Sequence, residues 1–175
     1  MRQHTIRKPV GIEGIGLHSG KVTRFTLSPA PADSGIVFRV RATGERIPAR
    51  ADSVVNSHYA TTVGVNGTRI QTVEHLMAAL SGFGVDNVEI EVDGPEIPAL
   101  DGSAKPFVAL LSLAGRVQQS ARLRPLTIPC ALRVGDNGRW MQIVPSDTFR
   151  ISYTLDNGHP AIGTQVLSWA PAVPS

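Results

Sequence analysis

In the stretch RIQTVEHLMAALSGFG a carboxylate and an imidazole stand side by side, at Glu74 and His75, directly ahead of an apolar run. That pairing suits metal-assisted hydrolysis, in which a metal held by an imidazole lowers the pKa of a bound water and a neighbouring carboxylate removes its proton. The elements around the pair decide whether it is presented. Val73, Leu76, Met77 and Leu80 fall at i, i+3, i+4 and i+7, a spacing that predicts an amphipathic helix with Thr72 as N-cap and Gly82 as stop signal. Successive helical residues point about 100° apart, so Glu74 and His75 occupy the rim of the first turn when Val73, Leu76 and Leu80 face inward. The free N–H groups of that turn carry partial positive charge, which favours a carboxylate at Glu74 and a neutral, metal-binding imidazole at His75.

Taken alone, the dipeptide also fits an ordinary acidic first turn, because it lacks the spacing of H-E-x-x-H, where two ligands share one face. A catalytic zinc takes three protein ligands and leaves one position for water, so His75 needs two partners. The other histidines are His4, His18, His58 and His159, and none has Asp or Glu at i+3 or i+4. His4 falls in a basic strand; His18 (GIGLHSG), His58 (NSHYATT) and His159 (NGHPAIG) fall in loops, where functional residues collect and where ordinary turn histidines are also found.

A chain of 175 residues with 42% apolar and 18% charged residues is expected to fold around a real core. A single cysteine, Cys130, leaves no internal disulfide, as suits a cytoplasmic location. The N-terminus has no continuous apolar run of the secretory kind, and HLMAAL and PFVALLSLAG are too short to span a bilayer, so no transmembrane segment is expected. A formal charge of +3 comes with Arg2, Arg7, Lys8, Lys21, Arg24, Arg39, Arg41, Arg46 and Arg50 crowded into the first third. That bias suits solvated strand faces, a phosphorylated ligand or an anionic membrane surface; without a zinc finger, basic helix or aromatic RNA-binding signature, no nucleic-acid partner is expected.

The segments HTIRKPV, KVTRFTLS, GIVFRV and ATTVGV alternate as strands do, and Asn66-Gly67 suits a tight hairpin leading to Thr72. DNVEIEVDG alternates Val88, Ile90 and Val92 against polar neighbours. DGSAKPFVALLSLAG predicts a second helix, with Ser103 as N-cap, Pro106 in the first turn, Phe107, Leu110, Leu111 and Ala114 inward, and Gly115 beyond its end. LTIPCALRV, RWMQIV and FRISYTL return to strands, after which alternation fades in TQVLSWAPAVPS. The expected fold is α+β, a two-layer sandwich whose mostly antiparallel sheet is covered by two helices.

The order GIGLHSG, TVEHLMAALSGFGVDNVEIEVDGPEIPALDGSAKPFV and FRISYTLDNGHPAIGTQ resembles the zinc-dependent UDP-3-O-acyl-N-acetylglucosamine deacetylases of lipid A biosynthesis. The resemblance covers residues 1–165 and implies the first of that family's two similar domains, with 166–175 a diverged or truncated tail. It implies a hydrolase that releases acetate from a UDP-linked, 3-O-acylated glucosamine, with Glu74 as base and His75 as a zinc ligand. Asp101 and Ser103 would hold the turn before the second helix. Thr61 and Thr62 match a threonine-containing strand bordering the family's site, while His18 in its Gly-rich turn and His159 are candidate substrate contacts. The family's second domain supplies the remaining zinc ligands in an HKxxD motif, and no HKxxD occurs in these 175 residues. The zinc ligand set carried by this chain is therefore incomplete. Its expected partners are the UDP-sugar substrate and either a second domain or another copy of itself; the alternatives are a catalytically incomplete binding module or the product of an interrupted gene.

Overall fold

The computed structural model describes residues 1–136 and 138–171. In chain order the strands are β1 (Arg2–Ile6), β2 (Val10–Ile15), β3 (Val22–Pro29), β4 (Ile36–Val40), β5 (Arg46–Pro48), β6 (Val54–Asn56), β7 (Thr62–Val65) and β8 (Thr68–Ile70). Helix α1 (Glu74–Phe83), β9 (Val88–Val92), α2 (Lys105–Ala114), β10 (Arg116–Arg122), β11 (Leu132–Gly135), β12 (Trp140–Ile143), β13 (Ile151–Asp156) and β14 (Thr164–Trp169) follow. Two compact units result, Met1–Arg124 and Pro125–Ser175. β14, Thr164–Trp169, lies within the second unit.

The first unit is α+β. Its five-stranded sheet has the order β2-β3-β9-β4-β5, antiparallel throughout except between β4 and β9. A parallel pair needs a long crossover, and the chain between β4 and β9 makes β5 to β8 and α1 on the way. A three-stranded sheet, β6-β7-β8, and the β1–β10 ribbon complete the unit. Alternate residues of the large sheet, Phe25, Leu27, Phe38, Val88, Ile90 and Val92, join Leu76, Ala79 and Leu80 of α1 and Phe107, Leu110 and Leu111 of α2 in one core. Full burial of each of these side chains other than Ala79 stabilises by roughly 1.5–3 kcal/mol. The Phe25 and Phe107 rings meet at 6.1 Å between centroids, joining β3 to α2.

Both helices follow the apolar spacing, but their ends differ from expectation in instructive ways. α1 starts at Glu74 behind Val73, with no side-chain cap, because the Thr72 hydroxyl is engaged elsewhere. It runs through Gly82 and stops at Gly84, which takes the left-handed conformation (φ 72°, ψ 48°) that glycine adopts without steric cost. At α2 the Ser103 hydroxyl accepts the Lys105 N–H at 3.1 Å while donating to Asp101, so these two residues build the turn as expected. Asn66 and Gly67 both have positive φ, 51° and 83°, and connect β7 to β8.

β9 buries Val88, Ile90 and Val92. Its glutamates are not merely solvated. Glu89 pairs with Arg39 (3.1 Å) and Arg46, and Glu91 with Arg39 and Arg41, the latter at 2.5 Å. Arg24 is likewise taken by Glu13 at 2.5 Å. Four arginines of the basic first third are thus paired with three carboxylates on the same sheet, which weakens the case for an anionic surface partner.

The second unit consists of two hairpins, β11–β12 and β13–β14. LTIPCALRV forms a strand only from Leu132, since Pro125 and Pro129 lack the N–H a ladder needs. β14 occupies part of the segment read as a fading tail; residues 172–175 of that tail lie outside the described residues. Its register explains the strand: Ile151 opposes Trp169 and Tyr153 opposes Leu167 on one face, while the Ser152 and Ser168 hydroxyls meet at 3.0 Å on the other. These apolar side chains remain exposed, Trp169 by 52%. No described helix is long and apolar enough to cross a membrane.

Candidate active site

Glu74 and His75 are the first two residues of α1, both half-buried, while Leu76 behind them is fully buried. The pair therefore sits on the rim of the first turn, as the helical spacing demands. Glu74 is oriented by the residue just ahead of β7: the Thr61 N–H donates to Glu74 Oε2 at 3.1 Å, and the Val73 N–H donates to the Thr61 carbonyl at 3.3 Å. The backbone of Thr61 thus holds the first turn of α1 at two points. Thr61 is half-buried, whereas Thr62, in β7, is only 4% exposed. Of the two threonines the structure brings Thr61 to Glu74, through its amide rather than its hydroxyl.

His18 is exposed in the turn between β2 and β3. That turn is fastened by Glu96, whose Oε1 accepts the His18 N–H at 3.0 Å and whose Oε2 accepts the Ser19 N–H at 2.7 Å. Glu96 Oε1 also accepts the Thr72 hydroxyl at 2.9 Å. One carboxylate therefore connects the His18 turn with the residue two positions ahead of Glu74. Glu96 is 0% exposed, and the residue types alone did not single it out. The available signal was a lone charge inside the otherwise apolar and proline-rich PEIPAL, where a surface residue has no periodic reason to be.

The glycines of GIEGIGLHSG fit this arrangement. A side chain on Gly16 would run into Glu96 Oε2 and the Ser19 hydroxyl, and one on Gly14 would meet Pro98 Cβ at 2.8 Å. Burial alone would push the Glu96 carboxyl up, but hydrogen bonds from the Ser19 side chain, the His18 and Ser19 amides and Thr72 outweigh it and hold it below the ordinary glutamate range. A carboxyl depressed in the fold stabilises it fully above the ordinary glutamate pKa, and that contribution is lost as pH falls through the lower folded value. Unfolding midpoints in urea should therefore drop more steeply below about pH 4 in the parent than in Glu96→Gln. At neutral pH, Glu96→Ala should cost about 2–3 kcal/mol, because the His18 and Ser19 amides and the Thr72 hydroxyl lose their acceptor. Parallel pH curves for parent and glutamine variant would contradict the assignment.

The remaining histidines are placed elsewhere. The His58 and Tyr59 rings lie 4.0 Å apart between centroids, tilted by 59°, in the exposed β6–β7 loop. His4 lies 3.8 Å from Asp86. His159 belongs to the second unit, where its Nδ1 accepts the Ala161 N–H at 3.2 Å. Among the described residues no group of three or more His, Cys, Asp or Glu could hold a metal ion. His75 has the donor chemistry that zinc prefers, yet one imidazole falls short of the three protein ligands of a catalytic zinc. By themselves these residues do not fit a complete zinc site.

Comparison with known proteins places the site in context. A family model described as UDP-3-O-acyl N-acetylglycosamine deacetylase matches residues 3–173. The chain is 47% identical over 167 residues to the UDP-3-O-acyl-N-acetylglucosamine deacetylase of Oleidesulfovibrio alaskensis, covering 94% of this chain and 55% of that protein. It is 45% identical to the protein of the same name from Anaeromyxobacter sp. over 163 residues, and 48% identical to that of Myxococcus xanthus over 166. Each alignment covers 93% of this chain, but only 54% and 52% of those two relatives. The chain spans about half the length of the curated relatives it matches.

Proposed function

The chain belongs to the UDP-3-O-acyl N-acetylglycosamine deacetylase family, and we propose that Glu74 and His75 are its contribution to hydrolysis of the N-acetyl group of UDP-3-O-acyl-N-acetylglucosamine, a step of lipid A biosynthesis set in the cytoplasm. The supporting observation is the clamp on Glu74. Its Oε2 is fixed by the Thr61 amide at the open rim of a helix. A carboxylate so held can take a proton from water as the water oxygen attacks the amide carbonyl, and can return it to the nitrogen as the C–N bond breaks. Acetate and a free amine result. His75, one residue on, is this chain's ligand for zinc, which when bound polarises the scissile carbonyl; the other ligands must come from outside these residues. Within the first unit, His18 and Thr61 are proposed to border the substrate, with Thr61 acting mainly through Glu74. Acetate release by this chain, alone and joined to the remaining length of a relative, with Glu74→Ala and His75→Ala controls, tests the proposal.

The exposed apolar faces of the two hairpins favour a second reading, an interaction module that binds another protein or its own copies. The 175-residue chain is then expected to self-associate at high concentration. Light scattering that shows a clean monomer there would count against it.

A further inference from the structure

The backbone enters α1 through a residue in an unfavourable conformation. Thr72 is β-branched and buried, yet its φ is 60°, in the left-handed region that such residues avoid. A conformation of that kind persists only where its surroundings over-determine it. Here the preceding residue is clamped from both sides, the Gln71 N–H donating to the Pro95 carbonyl at 3.0 Å and the Ile97 N–H to the Gln71 carbonyl at 2.9 Å. The Thr72 hydroxyl is then drawn to Glu96 Oε1. The same buried carboxylate takes the amides of His18 and Ser19, and Gly16 leaves the space it needs.

We propose that Glu96 is a positioning residue for the candidate active site: it ties the turn bearing His18 to the strained Thr72, and so sets where Glu74 and His75 stand at the start of α1. Glu96 is enclosed and acts through its neighbours, not on a reacting atom. The inference deepens the hydrolytic reading of Glu74 and His75 and rests on it for its functional meaning. Its structural content stands apart, because three donors converge on two oxygens. Glutamine has nearly the same shape but one acceptor oxygen: at the Oε1 position it keeps the His18 and Thr72 bonds and turns its NH2 toward the Ser19 N–H, and at the Oε2 position it keeps Ser19 alone, so Glu96→Gln weakens the junction without opening a cavity.

The test is amide hydrogen exchange on the full 175-residue chain, comparing parent, Glu96→Gln and Glu96→Ala. In the glutamine variant His18 and Ser19 should exchange about tenfold faster or more, and Thr61 and Val73, whose bonds hold the first turn of α1, should accelerate with them. Ile90 and Leu111, in the core, should accelerate only by the factor that the variant's loss of global stability in urea accounts for, well below the rise at His18 and Ser19, and the His75 ring resonances should shift. Acceleration confined to His18 and Ser19 with an unmoved His75 ring would show that Glu96 staples only its own turn and would overturn the proposal. A uniform rise at every amide would overturn it too, as a loss of global stability. If Glu96→Ala fails to fold, Glu96→Gln decides the matter. The experiment needs neither metal nor substrate, so its outcome is separable from the hydrolytic reading: intact acetate release in Glu74→Ala would refute that reading while leaving the exchange result to stand or fall by itself.

Discussion

Replacing Glu74 by alanine, in the chain joined to the remaining length of a relative, is expected to lower acetate release about 10²–10⁴-fold, the usual contribution of a positioned general base. The loss should leave the fold nearly intact. Glu74 is half-buried on the helix rim, and its removal frees one amide, that of Thr61, which can turn to water at a cost of about 1 kcal/mol. Glu74→Gln sharpens the comparison. It keeps an acceptor for the Thr61 N–H but cannot take up a proton, so it should be about as inactive as alanine while unfolding at nearly the parent midpoint. A glutamine variant that works as well as the parent would show that Glu74 orients the turn and does no proton transfer.

The second large effect concerns the core that carries the site. Phe107→Ala should destabilise the chain by about 3–5 kcal/mol, because it leaves a large cavity between α2 and the sheet. Phe107 is fully buried and its ring meets that of Phe25, so its loss loosens the helix on which the turn from Asp101 to Lys105 depends. Leu113 lies on the same helix and is 70% exposed, so Leu113→Ala should fall within about 0.5 kcal/mol of the parent. Urea unfolding of the two variants checks the contrast. Similar costs for both would mean that α2 does not pack as described.

What could be read from the residues alone was whatever is decided locally. The apolar spacing of Val73, Leu76, Met77 and Leu80 places α1, and the alternation of Val88, Ile90 and Val92 places β9, because each pattern reports the face an element turns to the core. The start of α1 escaped for a long-range reason: the Thr72 hydroxyl that looks like a cap is claimed by Glu96, 24 residues later. Gly82 rather than Gly84 looked like the stop because either glycine permits the turn, and only the backbone shows which is used. β10 was missed because RVQQSAR is nearly polar and owes its strand to pairing with the N-terminal β1. β14 was missed because its alternation is clear only against β13. Arg39, Arg41 and Arg46 looked solvated because the parallel register of β4 on β9, which sets Glu89 and Glu91 against them, is not a local property.

The same distinction holds at the site. Glu74 and His75 were visible as residue types whose chemistry belongs together, and the family resemblance supplied their roles. Thr61 was visible as a threonine, but what the structure uses is its peptide N–H, which any residue would have offered. Glu96 has no motif, since its importance comes from burial among donors contributed by a distant turn and by the approach to α1.

Zinc titration with His75→Ala as control tests the central claim most directly, namely that this chain contributes one imidazole to a metal centre shared with residues outside it. Isothermal calorimetry should find weak binding to the 175-residue chain, tight one-to-one binding once the remaining length of a relative is joined to it, and a loss of that tight binding on His75→Ala. Tight one-to-one binding to the chain alone, or tight binding to the joined protein that survives His75→Ala, would contradict the account.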